Sequence, residues 1–327
     1  MPSLYVHIGP YKTGTTSFQN YMWKNREALK KKGFLYPETG IQFTGSGRRH
    51  FSLAKAPRGF KEKQQFEALW DDLFSEISSS KGIQKVLISA ERFSWCMDLL
   101  AKRKIQMEQY SPKLVVVVRD EMVLSRSMYF QIVKKRFKSR NKIQAIGLEN
   151  IDKWFDKHKA NFSYPQILQP WIQNFGIESV IFVPFEESRE TDIVTSLLTA
   201  VGVPSVISDY KRIRANPSIG FLATNAAIID SKISPKRARR AMLLGAKIER
   251  KFPFLKDIPL EHYNWKKMHA YFASENALAF KKYPSFKQVY KLISRPKRSN
   301  SGFFFRVDNL PFKWAGLFAR KFTKVNK

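Results

Sequence analysis

Near its start the chain reads Leu4-Tyr-Val-His-Ile8, an apolar run, then Gly9-Pro-Tyr-Lys-Thr-Gly-Thr-Thr16, then a helical pattern. No other segment limits the fold as strongly. A buried strand that passes through a glycine loop straight into a helix is the first half of a βαβ unit, with its loop at the carboxyl edge of a sheet. The same order builds an anion site. Backbone N–H groups of the loop and the first helical turn converge on one point, and the helix dipole adds positive potential there. Lys12 supplies a point charge, and Thr13, Thr15 and Thr16 supply hydroxyl donors between and after Gly9 and Gly14. A phosphate fits this donor set.

The rest of the chain repeats the alternation. Ser17 to Lys31 has the period of an amphipathic helix, with Phe18, Tyr21, Met22 and Leu29 on its inner side, and Gly33 stops it. An extended stretch at Phe34-Leu-Tyr-Pro37 leads into Gly40 to His50, whose glycines, serine and arginines read as a mobile loop. A helix is expected over 61–79, and buried strands over Lys85–Ala90, 113–118 and Ser179–Pro184. The run Lys113-Leu-Val-Val-Val-Val118 has no polar alternation, as in a strand covered on both faces. The predicted fold is therefore α/β: a three-layer sandwich with a central, mainly parallel sheet flanked by helices. No linker or internal repeat divides the chain, so residues 1–283 are expected to form one domain and 284–327 a distinct tail. With Cys96 the single cysteine, neither an intrachain disulfide nor a cysteine metal cluster can form.

A nucleoside-triphosphate loop reads G-x-x-x-x-G-K-[ST]. Gly9 and Gly14 keep that glycine spacing, but Lys12 precedes Gly14 and two threonines follow it. This order, G-x-x-K-T-G-T-T, resembles the 5′-phosphosulfate loop of the sulfotransferases that use 3′-phosphoadenosine 5′-phosphosulfate (PAPS). A second segment strengthens the likeness. Arg119 leaves the end of the 113–118 run and Ser127 follows on the next helical stretch, which resembles the family's 3′-phosphate motif. Arg119 could instead pair with Asp120 or Glu121, and Ser127 could be an ordinary helix-surface residue. A third segment, Lys211-Arg-Ile-Arg-Ala-Asn-Pro-Ser218, is similar to a late segment of bacterial members, in which Arg214, Asn216 and Ser218 would close over the nucleotide. It also reads as a turn and helix cap. Stretches over 164–202 and 271–283 resemble bacterial carbohydrate sulfotransferases as well.

The resemblance implies PAPS as co-substrate, no metal, and a carbohydrate hydroxyl as acceptor. Lys12 would stabilise charge on the leaving oxygen, and the acceptor hydroxyl would need a general base. Two residues qualify. His50, in Arg-Arg-His-Phe-Ser, would titrate near neutral pH if unperturbed. Glu91 ends the Lys85–Ala90 strand, where ligands gather in open sheets. His50 could equally be a surface loop residue, and Glu91 a partner for Arg92. His7 reads as a core residue, and His158, His262 and His269 lack metal-ligand spacing.

A net charge of +31, from 58 Lys and Arg against 27 Asp and Glu, draws anions of every kind to the surface. Lys134-Lys-Arg-Phe-Lys-Ser-Arg-Asn-Lys142 follows the 3′-phosphate motif and could guide an anionic acceptor. The tail from Lys281 onward carries thirteen Lys and Arg against Asp308, with Leu310, Trp314, Leu317, Phe318 and Phe322 on one helical face. That pattern suits a helix on an anionic membrane surface, or one packed on the protein's own core. No stretch approaches the roughly 18 to 20 apolar residues of a spanning helix, so a cytoplasmic bacterial enzyme, at most peripheral to the membrane, is expected. An ATP-dependent kinase and a non-catalytic basic module for membrane or nucleic acid are the rival readings.

Overall fold

In the computed structural model, Ser3–Ile8 forms strand β1 at the centre of a five-stranded sheet. The structure describes residues 1–10, 13–44, 47–138, 151–185, 192–203, 223, 235–251, 265–284 and 286–287. Around β1 lie β2 (Phe34–Leu35), β5 (Lys85–Ser89), β6 (Lys113–Val118) and β7 (Val180–Pro184), in the spatial order β2-β5-β1-β6-β7. Every pairing in this sheet is parallel. The chain runs outward from β1 on one side and returns to β6 and β7 on the other. The order therefore reverses between β1 and β6, which is where open α/β sheets leave a crevice beyond their carboxyl ends.

The β6 run explains the layers. Val115 and Val117 join one buried cluster with Phe18, Tyr21, Met22, Leu29, Leu87, Val194 and Leu197. Leu114, Val116 and Val118 point to the other face and are buried too. Helices cover both faces, as the unalternated apolar run requires. The first face is covered by α1 (Thr15–Lys24), α2 (Arg26–Lys31) and the helix Ile193–Ala200.

The expected helix over 17–31 is thus two helices. Asn25 separates them: its side-chain amide donates to the Tyr21 carbonyl at 2.9 Å and its backbone N–H donates to the same carbonyl at 3.1 Å. Asparagine competes in this way for helix-end carbonyls. Gly33, at φ 77°, ends α2 in a conformation that favours glycine.

The stretch Gly40 to His50 also differs from expectation. Among its described residues, β3 (Gln42–Thr44) pairs antiparallel with β4 (Gly47–Arg49). The hairpin is held from outside, because the Tyr36 hydroxyl donates to the Arg48 carbonyl at 3.0 Å and the His50 amide donates to the Ser89 carbonyl at 2.9 Å. After it come α3 (Phe60–Ser79), a 3₁₀ turn at Glu91–Trp95, α4 (Met97–Ala101), α5 (Lys104–Glu108), α6 (Glu121–Lys138), α7 (Ile151–His158) and α8 (Tyr164–Phe175). Ile193–Ala200 is α9, followed by α10 (Pro235–Lys251) and α11 (Trp265–Lys282).

The residues divide into two compact units. The first takes in Met1–Leu124, Lys159–Ala215 and Phe272–Arg295, and holds the whole five-stranded sheet. Within it Phe286 is buried with its ring 5.2 Å from Phe182, so packed chain continues past residue 283. The second unit includes Ser125–His158 and Asn216–Tyr271. There Lys267 pairs with Asp156 at 2.6 Å, and buried Glu249 accepts from the Ala223 amide at 2.9 Å. The basic aromatic segment 288–327 lies outside the described residues. No helix among the described residues is long and apolar enough to cross a membrane.

Candidate active site

The loop after β1 is tight at both glycines. A Cβ on Gly9 would come within 2.7 Å of Thr15 Cγ2 and 3.2 Å of His7 Nε2, so only glycine lets the loop lie against its own strand and helix. Gly14 sits at φ 75° and caps α1 with no side chain. No acidic residue stands in the first turn. The positive end of α1 is therefore left without an internal counter-charge from that turn.

The threonines divide by role. Thr13 is fully buried and its hydroxyl donates to the Pro10 carbonyl at 2.8 Å. Thr15, also buried, donates to Glu91 Oε1 at 3.2 Å. Both protons are committed to shaping the loop. Thr16 is half-buried and its hydroxyl has no partner among the described residues.

Glu91 is 4% exposed and lies where β5 ends. Its second oxygen accepts from Arg49 Nη1 at 3.0 Å. The guanidinium folds across Gly47, where a Cβ would come within 2.9 Å of Arg49 Nη2. The hairpin thus carries a cation to a carboxylate that already touches the glycine loop at Thr15. Arg49 has no distinguishing local pattern in so basic a chain, and the sequence reading missed it.

Behind the loop, register explains a buried polar cluster. His7 and Ser89 are direct partners across β1 and β5, and His7 Nδ1 lies 2.7 Å from Ser89 Oγ. Gln19 on α1 donates to the same oxygen at 3.2 Å. Burial lowers the His7 pKa to about 4, with the negative charge of Glu91 acting in the opposite direction.

His50 occupies the other side of Ser89. It is fully buried, its Nδ1 accepts from the Ser89 amide at 3.1 Å, and its Nε2–H donates to the Pro37 carbonyl at 3.0 Å. Those two partners define the tautomer. Burial again lowers the pKa to about 4, against the raising effect of the Pro37 and Ser89 hydrogen bonds. A ring with both nitrogens tied to backbone has no lone pair to offer an acceptor hydroxyl. Of the two base candidates, Glu91 is the one in contact with the loop, while His50 joins the 36–37 segment to β5.

Arg119 follows the end of β6. Its backbone is clipped by the buried Tyr164 hydroxyl, which accepts from the Arg119 amide at 2.9 Å and donates to the Arg119 carbonyl at 3.2 Å. Asp120 caps α6 through the Val123 amide at 2.8 Å. The Arg119 guanidinium lies 4.8 Å over the Phe185 ring, and the same ring is 3.9 Å from the Cβ position of Gly14. Phe185 thus lies beside both Gly14 and Arg119, which the sequence separates by over a hundred residues. Ser127 is half-buried on α6. Lys12, Arg214, Asn216 and Ser218 lie outside the described residues. No group of three or more His, Cys, Asp or Glu that could hold a metal occurs among the described residues.

No family model matches the chain, and no curated protein matches it. Among solved structures it is similar to a sulfotransferase from Alicyclobacillus acidocaldarius, at 15% identity and TM-score 0.41 over 74% of this chain and 95% of that one. It is also similar to mouse sulfotransferase SULT7A1 complexed with PAP, at 12% identity and TM-score 0.37 over 88% of each chain.

Proposed function

We propose that the chain transfers a sulfuryl group from PAPS to a hydroxyl of a carbohydrate acceptor. One observation carries this reading: a permuted glycine loop and a strand-end arginine, the two elements that would grip the 5′ and 3′ phosphates, meet at Phe185. In the proposed reaction Glu91 accepts the proton of the acceptor hydroxyl as its oxygen bonds to sulfur. The bond between sulfur and the bridging oxygen breaks, and the negative charge left on the phosphate falls on the loop amides, Thr16 and Lys12. Arg49 and Thr15 aim the Glu91 carboxylate. Positioning and charge compensation then supply most of the acceleration, as in phosphoryl transfer.

The acceptor class, the guidance by residues 134–142, membrane contact by the tail and a cytoplasmic location are parts of the same proposal. Calorimetric binding of adenosine 3′,5′-bisphosphate (PAP) against ADP with magnesium tests the core of it. Tighter binding of PAP is expected. Tighter binding of ADP and magnesium would favour the kinase reading, and binding of neither would leave only a basic module.

A further inference from the structure

The surface formed by the far end of α1 and the β3–β4 hairpin carries an alternating stack of arginines and aromatics. Arg26 lies 4.1 Å over the Trp23 ring, Trp23 meets Phe43 edge to face at 5.4 Å, and Arg48 lies 4.6 Å over Phe43. Phe43 is 63% exposed, far more than a core-forming phenylalanine. The two arginines differ in charge balance. Arg26 pairs with Glu38 at 2.9 Å, whereas no carboxylate among the described residues pairs with Arg48. A guanidinium held over a ring by its cation–π contact still has N–H donors to spare for a carboxylate or sulfate.

Position relates this surface to the reacting groups. Trp23 is eight residues beyond Thr15 on α1, about 12 Å along the axis. Arg48 immediately precedes Arg49, which holds Glu91. Arg48 and Arg49 point to opposite faces of β4, so a ligand unit seated here would be a different unit of the acceptor from the one that offers its hydroxyl to Glu91.

From this we infer that Phe43 and Arg48, flanked by Trp23, form a subsite for an acidic sugar unit of the acceptor, one that carries a carboxylate or sulfate. The inference rests on the carbohydrate reading of the function. A sugar ring presents an apolar C–H face to Phe43 while its acidic substituent meets Arg48. A stretch of nucleic acid is less well matched, because successive bases need a row of exposed rings and here one exposed phenylalanine stands beside one guanidinium.

The test measures binding of three probes to the full chain at physiological salt: a heparin-derived tetrasaccharide, neutral chitotetraose and a single-stranded oligothymidine. PAP binding is measured in parallel. The heparin tetrasaccharide should bind at least about tenfold more tightly than chitotetraose. Phe43→Ala and Arg48→Ala should each weaken the acidic probe by about tenfold, the scale of one lost cation–π or charge-assisted contact. Arg48→Lys should recover only part of that, since it keeps the charge and loses the fork. Lys61→Ala, which removes one charge from the first turn of α3, should change it by less than about twofold. PAP affinity should hold in all four variants.

If Phe43→Ala and Arg48→Ala bind the acidic probe like Lys61→Ala, the subsite is overturned and non-specific charge attraction explains the binding. If oligothymidine binds more tightly and is the probe lost in these variants, the surface is a nucleic-acid contact and the inference fails. Absence of PAP binding in the unmodified chain would instead overturn the sulfotransferase reading, and the oligosaccharide data would still decide the subsite.

Discussion

The seating of His50 has a consequence for stability that can be measured directly. The folded protein holds this ring neutral with its pKa lowered to about 4, against an ordinary value of 6.5. The unfolded chain therefore binds a proton more readily than the folded one between those limits. Stability is fully present above pH 6.5 and is lost as pH falls toward 4, with the slope given by the difference in bound protons. Over the whole interval one such histidine accounts for about 3 kcal/mol, and at pH 5 about 2 kcal/mol has gone. His50→Gln keeps a donor for the Pro37 carbonyl and an acceptor for the Ser89 amide but cannot titrate. Urea unfolding of both proteins at pH 7 and pH 5 isolates the term, because the other titrating groups cancel in the comparison. The stability gap between the native chain and His50→Gln should shift by about 2 kcal/mol in favour of the variant at pH 5. An identical pH dependence for the two proteins would mean that His50 protonates freely in the fold, and its burial between two backbone partners would be wrong. A solvent-facing catalytic histidine would give that flat result.

Four further outcomes are expected. Glu91→Gln should lower sulfuryl transfer by about 10²- to 10⁴-fold, the usual contribution of a general base, while PAP affinity holds; near-normal turnover would take Glu91 out of the mechanism. Gly9→Ala must displace Thr15 and should cost about 1–3 kcal/mol of folding stability by overpacking, and calorimetry should show weakened PAP binding as well. Unchanged affinity there would show that the loop is looser than its 2.7 Å approach indicates. Gly47→Ala should push the Arg49 guanidinium off Glu91 and reduce turnover with little change in thermal stability, so a stability loss without a rate effect would count against the pairing. Trp70, fully buried on α3, should cost about 3–5 kcal/mol when truncated to alanine, and denaturant unfolding at neutral pH checks it.

The sheet was legible where one signal dominated. Val115 to Val118 are buried on both faces, and so their composition alone marks the strand. The β1 loop was legible for a related reason, since glycine order constrains backbone geometry locally. The hairpin was not. Its glycine, serine and arginine content carries no strand periodicity, while the bonds that order β3 and β4 come from Tyr36 and Ser89. His50 misled in the same way: polar neighbours in sequence suggested exposure, and its burial depends on Pro37 and Ser89 being brought to either side. Glu91 was found because its place at a strand end is a rule of the fold, but Arg49 and the bond from the Thr15 hydroxyl to Glu91 entered only with the packed structure. A hydroxyl in a glycine loop looks available for a ligand until its proton is seen to have another partner.

Ser89 joins these observations in a way that concerns folding order. Its side chain and backbone engage His7 across 82 residues of sequence, Gln19 across 70 and His50 across 39. Contacts this distant require closure of long chain loops before they return any free energy, and parallel pairing of this kind forms slowly. The glycine loop is local in sequence, from Gly9 to Thr16, yet its support exists only after β5 has docked beside β1. A nascent or partly folded chain would carry the full loop sequence and still lack the braced cradle, so competence to bind should arrive late, together with the assembled sheet.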